Sequence, residues 1–294
     1  MKLGLGTVQF GIDYGISNPS GQTTPEEVKR ILEFAADQGI CYLDTAPAYG
    51  NSEEVLGASL VSADRFQVIT KTHRIAQPQI STEAVERTVD VFRQSLKHLQ
   101  QSSVYGLLVH HPDDLLAEGG DRLMASLKLL QSQGFVQKIG VSVYSREQID
   151  RLLEQYPIDL LQVPLNVFDQ RLLKDGYLRS LNHQGIKIHV RSAFLQGLLL
   201  MSEAELPDYL LELSPHLQQY RQVNQRLGIS PLQAAIGFVD RLSEVDAVLV
   251  GVNNLSQLIE ITTALNPEFD SSYLEEFAVE DVTLIDPSLW SARS

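Results

Sequence analysis

The chain has 294 residues, 44% of them hydrophobic and 20% charged. That is ordinary globular composition, with enough apolar material to fill one large α/β domain. A formal net charge of −14 argues against a nucleic-acid backbone or an anionic membrane surface as partner, since both need clustered Lys and Arg. Cys41 is the single cysteine, which excludes an intrachain disulfide and a multi-cysteine metal site.

No apolar run approaches the ~18 residues needed to span a bilayer. The opening residues lack a charged stretch followed by an apolar one. Together these predict a soluble, cytoplasmic protein with no membrane partner.

In chain order, a first apolar strand is predicted over 2–6. A helix follows with Thr24 as cap, Pro25 in its first turn and Glu27 completing a capping box. Val28, Ile31, Leu32 and Ala35 recur at helical spacing on its buried face, and Gly39 stops it. The second strand spans 40–44, with Cys41 inside it as a buried small hydrophobe. A third strand covers 66–70. The helix after it opens at Ser81 and carries Val85, Val89, Phe92, Leu96 and Leu99 on one face.

Further strands are predicted over 104–109, 138–142, 158–162, 187–191 and 246–250, with Gly134, Gly185 and Gly228 ending intervening helices. The stretch 192–230 is long and polar, especially 201–213, which suits a functional loop over a barrel mouth. The strands are apolar on both faces, as a parallel sheet covered by helices requires. This pattern predicts a single-domain (β/α)8 TIM barrel over residues 1–294, since such barrels take ~250 residues. An open doubly wound sheet would carry a G-x-G-x-x-G turn after an early strand. Gly4-Leu5-Gly6 has no third glycine in register.

Active sites of such barrels lie at the C-terminal ends of the strands. The residues there are Asp44, Lys71, His110, Ser142, Gln162, Arg191 and Gly251, with Tyr49 on the loop after the second strand. Polar groups ending consecutive apolar strands are costly unless used. A phenol with an ordinary pKa of ~10 is a poor acid at neutral pH. An ammonium ~4 Å away favours its anion by up to ~4 kcal/mol at an effective dielectric of ~20. A carboxylate keeps that ammonium charged, and an imidazole can hold a carbonyl oxygen toward the phenol.

Residues 44–57, reading DTAPAYGNSEEVLG, resemble the signature of the aldo-keto reductase superfamily. Val68-Ile69-Thr70-Lys71-Thr72 resembles its lysine strand and Leu107-Leu108-Val109-His110-His111-Pro112 its histidine strand. Ile139-Gly140-Val141-Ser142, residues 161–166 and residues 5–11 are similar to its cofactor-side segments. These matches run in order along nearly the whole chain.

The resemblance implies reduction of a small aldehyde or ketone to an alcohol, or the reverse, with a nicotinamide cofactor. It implies Tyr49 as general acid and base, Lys71 and Asp44 as tuners of its pKa, and His110 as the group orienting the carbonyl. Ser142 and Gln162 would hold the carboxamide, while Gly6 and Thr7 border the nicotinamide. Gly251, Asn253, Asn254 and Gln257 match the adenine-end segment.

Three departures stand out. Val143 replaces an asparagine, and Arg191 occupies a position where many members stack an aromatic ring on the nicotinamide; a guanidinium plane can stack there too. Residues 251–257 carry no Lys or Arg. Family habit implies NADP(H), with NAD(H) second. Residues 11–18 resemble bacterial members of sugar and surface-polysaccharide pathways.

Other readings compete. Asp44 and Lys71 could form a structural pair, Tyr49-Gly50 could be a turn before a helix capped by Ser52, Glu53 and Glu54, and the barrel could bind cofactor in a regulatory role with little turnover. A metal-dependent hydrolase has too few ligands at the strand ends, so no metal is expected. His110 and His111, as strand neighbours, should face opposite sides. His73, His98, His183 and His216 read as solvated, and His189 as filling the barrel interior beside Arg191. The sequence leaves the oligomeric state open.

Overall fold

Each apolar run pairs in parallel with the next, and the last returns to the first. In a computed structural model, β1 (Leu3–Gly6), β2 (Tyr42–Asp44), β3 (Gln67–Lys71), β4 (Val104–Val109), β5 (Val136–Ser142), β6 (Leu160–Pro164), β7 (Lys187–Arg191) and β8 (Ala247–Gly251) close in sequence order. Gly6 aligns with Asp44 on one side and Gly251 on the other, which seals the barrel. The structure describes residues 2–16, 18, 20–60, 65–265 and 270–292; Ser17, in the 11–18 segment, lies outside them.

The helices are α1 (Val8–Gly11), α2 (Pro25–Asp37), α3 (Ser52–Ser59), α4 (Thr82–His98), α5 (Asp113–Leu116), α6 (Gly120–Ser132), α7 (Arg146–Leu153), α8 (Tyr177–His183), α9 (Ser214–Leu227), α10 (Pro231–Asp240), α11 (Leu255–Ala264) and α12 (Val282–Ile285). Thr24 accepts from the Glu27 N–H to start α2, and Gly39 follows it with φ +73°. None of the described helices is long and apolar enough to cross a membrane.

Alternation along the strands sorts the barrel interior into layers. The last inward residues of the eight strands are Gly6, Asp44, Lys71, His110 (one residue past β4), Ser142, Gln162, Arg191 and Gly251. Two residues earlier on each strand lies a layer that is mostly apolar or small. It contains Ile69, Leu108 and Leu160, packed with Tyr42 and Tyr105. Gly4 and Gly140 belong to it because a Cβ would meet Tyr42 Cβ at 2.9 Å in the first case and Leu108 Cδ2 at 2.4 Å in the second. A wide apolar cluster fills the space between strands and helices.

Several boundaries differ from the sequence expectation. β2 opens at Tyr42 because the Ile40 N–H bonds to Ala35 O at the end of α2, and Cys41 is half-buried rather than buried. β3 extends one residue to include Lys71. β5 begins at Val136, and β6 is displaced to Leu160–Pro164. The Asp159 carboxylate accepts from Ile139 N and Gln131 Nε2, which holds residue 159 in a turn before the ladder. The stretch 192–230 is not a plain loop. Short 3₁₀ turns over Leu198–Leu200, Glu203–Glu205 and Asp208–Leu213 lead into α9.

Candidate active site

Tyr49 is placed by two glycines. α1 brings Gly11 against the turn after β2, where a Cβ on Gly11 would lie 1.7 Å from Tyr49 O. Gly50 sits at φ +59°, and its own Cβ would lie 2.4 Å from Gly11 O. The left-handed conformation and the close approach both require glycine. Ser52 and Glu53 do not cap α3 as the turn reading expects. Ser52 Oγ donates to Thr7 O at 2.8 Å and lies 2.8 Å from Thr7 Oγ1. Glu53 is buried and accepts from Thr70 Oγ1 at 2.6 Å. Both side chains tie the Tyr49 turn to the neighbouring strands β1 and β3.

Lys71 is fully buried and donates to Asp44 Oδ2 at 2.6 Å, to Thr45 O at 3.0 Å and to Tyr49 Oη at 3.3 Å. The other Asp44 oxygen accepts from Gln162 Nε2 at 2.7 Å. Burial alone would lower the Lys71 pKa, but Asp44 and then Tyr49 outweigh it, so the pKa is raised and the group stays an ammonium. Burial raises the Tyr49 pKa above its ordinary 10; Lys71 pulls it down and Asp44 pushes it back up. The expected acidified phenol is thus a protonated one, because burial outweighs the lysine. The His110 ring stands edge-on to Tyr49, centroids 6.0 Å apart. Burial, then Lys71, lowers its pKa to about 3, leaving a neutral imidazole.

These groups line a cavity of about 450 Å³ that opens across the strand ends, a size usual for small-molecule sites. Gly6, Thr7, Asp44, Tyr49, His110, Ser142, Gln162, Arg191, Gly251, Asn253 and Gln257 all border it. Lys71 lies behind Asp44 rather than on the wall. Asn254 does not border it either, since its side chain caps α11 by accepting from Gln257 N. The Arg191 guanidinium lies over the Tyr144 ring, 4.4 Å from its centroid, and donates to Val143 O at 3.2 Å.

His110 borders the cavity and His111 does not, although their rings lie 5.0 Å apart at 32° just past the end of β4. Among the described residues no group of three His, Cys, Asp or Glu side chains is placed to hold a metal ion. His183 and His216 are exposed, whereas His73 and His98 are half-buried. His189 is fully buried inside the barrel with both ring nitrogens unpartnered.

Sequence reasoning missed Gln9, Tyr14, Tyr144, Gln196 and Glu260, all on the cavity wall. Tyr14 Oη accepts from Gln196 Nε2 at 3.2 Å, joining the loops after β1 and β7. Gln9 Oε1 is a buried acceptor without a partner, beside Gly251, where a Cβ would meet Gln9 Nε2 at 2.6 Å. An elongated polar ligand fits this bare floor and its unused acceptor. Ser142, Gln162, Gln9, Gly6, Gly251, Gln257 and Glu260 all border this one cavity, a lining that fits a dinucleotide.

The aldo/keto reductase family model matches residues 2–278. The chain is 29% identical over 250 residues to aldo-keto reductase YhdN of Bacillus subtilis, covering 83% of this chain and 72% of that one. It is 24% identical to the NADH-specific methylglyoxal reductase of Escherichia coli, covering 85% of this chain and 87% of that one. Its fold superposes on an aldo-keto reductase from Bacillus halodurans with a TM-score of 0.73 at 18% identity, covering 95% and 92% of the two chains. The chain belongs to the aldo/keto reductase family of oxidoreductases.

Proposed function

We propose that this protein is a nicotinamide-dependent carbonyl reductase that converts a small aldehyde or ketone, sugar-like carbonyls included, to the alcohol. The 3.3 Å contact between Lys71 Nζ and Tyr49 Oη at the cavity wall carries this reading. A buried phenol that keeps its proton is a store of acid, and the ammonium beside it stabilises the phenolate as the proton leaves. Asp44 holds that ammonium in place. His110, as a neutral imidazole, can hold the carbonyl oxygen toward Tyr49 without competing for the proton. When bound, the nicotinamide supplies the hydride that forms the new C–H bond, and the Tyr49 proton completes the hydroxyl. In the alcohol-oxidising direction Tyr49 accepts the proton.

Ser142 and Gln162 orient the carboxamide in this reading. One N–H of the Gln162 amide is bound to Asp44, so its oxygen and its second N–H are left for a ligand. Tyr14, Gln196 and Tyr144 give the wall hydroxyl and amide groups suited to a hydroxylated substrate. NADP(H) and NAD(H) supply the same hydride, and a relative named as NADH-specific belongs to the same family.

Tyr49→Phe tests the assignment. Turnover of an aldehyde panel is expected to fall by at least about 10²-fold, while nucleotide binding followed by fluorescence stays as in wild type. A variant that keeps wild-type turnover would show that the proton comes from elsewhere.

A further inference from the structure

β4 and β8 face each other across the eight-stranded barrel. A cavity bounded by His110 on one side and by Gln257 and Glu260 on the other therefore crosses the mouth. If the nicotinamide lies at Tyr49, as the proposed function requires, the adenosine half lies at the start of α11. NADH and NADPH differ only there, by a ribose hydroxyl against a phosphate of about −1.5 to −2 charge. A phosphate needs a cation or several free donors.

The chain segments at this end supply no such cation. Residues 197–220 contain no Lys or Arg but include Glu203, Glu205, Asp208 and Glu212, and residues 251–264 contain no Lys or Arg either. The opening of α11 would otherwise attract a phosphate through its free N–H groups and dipole. Three of its donors are taken: Asn253 N binds Gln257 Oε1 at 2.7 Å, Leu255 N binds Glu27 Oε1 at 2.7 Å, and Gln257 N binds Asn254 Oδ1 at 3.0 Å. Glu27 places a carboxylate at the start of α11, and Arg30 is held by its other oxygen at 2.7 Å. Glu260 adds an exposed carboxylate on the cavity wall. Arg191, the cation that does line the cavity, is stacked on Tyr144 and bound to Val143 O.

We infer that this enzyme selects NADH over NADPH, with Glu260 as the discriminating charge. A carboxylate suits a ribose diol, whose hydroxyls donate to it, and repels a phosphate. The inference rests on the proposed nicotinamide-dependent function, and binding separates the two.

The full chain is titrated with NADH and with NADPH by calorimetry at low ionic strength, without substrate. NADH is expected to bind at least about tenfold more tightly. Glu260→Gln should narrow that ratio, and Glu260→Lys should move it by a further factor of about ten toward NADPH. Glu260 is exposed, so thermal unfolding should be unchanged in both variants. NADPH binding as tightly as NADH overturns the inference alone, and an unmoved ratio in Glu260→Lys overturns the role of Glu260. Binding of neither nucleotide overturns both the inference and the function beneath it.

Discussion

Replacing Lys71 by Met tests the electrostatics of the proposed reaction most directly. At 3.3 Å, a full phenolate on Tyr49 would gain about 5 kcal/mol from the ammonium at an effective dielectric of about 20. With the proton half transferred in the transition state, about half of that is realised, which corresponds to a loss on the order of 10²-fold in kcat. The single substitution also strands Asp44, whose side chain is only 7% exposed. Breaking a buried pair by removing one partner costs about 3–5 kcal/mol of stability, so a loss of rate in Lys71→Met alone could reflect damaged folding. The double variant Asp44→Asn/Lys71→Met separates the effects. Its neutral pair keeps an acceptor for Gln162 and is expected to recover most of the unfolding temperature. It also removes the carboxylate that opposes phenolate formation, so kcat should rise above that of the single variant yet stay well below wild type. The assay is steady-state aldehyde reduction beside thermal unfolding for all four members of the cycle. A double variant with wild-type kcat, or a single variant within threefold of wild type, would refute the role of Lys71.

Two other expectations follow, one from a buried imidazole and one from a strained turn. Burial lowers the pKa of His189 from 6.5 to about 4, and both its ring nitrogens lack partners. Its folded pKa is depressed, so its contribution to stability is present above pH 6.5 and is lost as the pH falls through the folded value. Unfolding temperature should therefore decline between pH 6.5 and 4, and His189→Leu should flatten that decline by an amount on the order of 3 kcal/mol; an unchanged pH slope in the variant would refute this. Gly50→Ala forces φ +59° on a Cβ-bearing residue and drives that Cβ into Gly11 O. Thermal unfolding should fall by several degrees, on the scale of one strained residue. Surviving folded enzyme should lose kcat because Tyr49 is displaced, and a Gly50→Ala enzyme with normal kcat and stability would show that the turn is not strained.

The barrel was legible because its strands are covered on both faces and read as short continuous apolar runs. The catalytic candidates were legible for a related reason: Asp44, Lys71, His110 and Gln162 are polar or ionisable groups at the ends of those runs, where burial is expensive without a partner. What could not be read lies where neither periodicity nor burial constrains the chain. Tyr14, Gln196 and Tyr144 reach the cavity from loops, and loop sequence carries no period to place them. Ser52 and Glu53 carried a pattern that local rules assign to a helix start, yet tertiary hydrogen bonds to Thr7 and Thr70 claim both. His110 borders the cavity and His111 does not, as their adjacent positions at the end of β4 suggest, although their rings stay in contact.

The two departures from the family pattern at positions 143 and 191 look independent in sequence and are coupled in space. A valine at 143 removes a side-chain amide, but its main-chain carbonyl remains, and that carbonyl accepts from the Arg191 guanidinium. The same guanidinium plane is covered by Tyr144, the next residue along. Residues 143 and 144 therefore hold Arg191 through one hydrogen bond and one stacked face. That arrangement fixes a flat cation at the cavity wall near Tyr49 and His110, on both of which it acts electrostatically. An aromatic ring at position 191 could stack but would bring no charge. A fixed guanidinium brings both, so a planar surface is kept and a positive charge is added on the cavity wall. Near the start of α11 the cavity wall carries the Glu260 carboxylate instead. Under the proposed function, this polarity along the cleft favours a dinucleotide whose negative charge is confined to its middle.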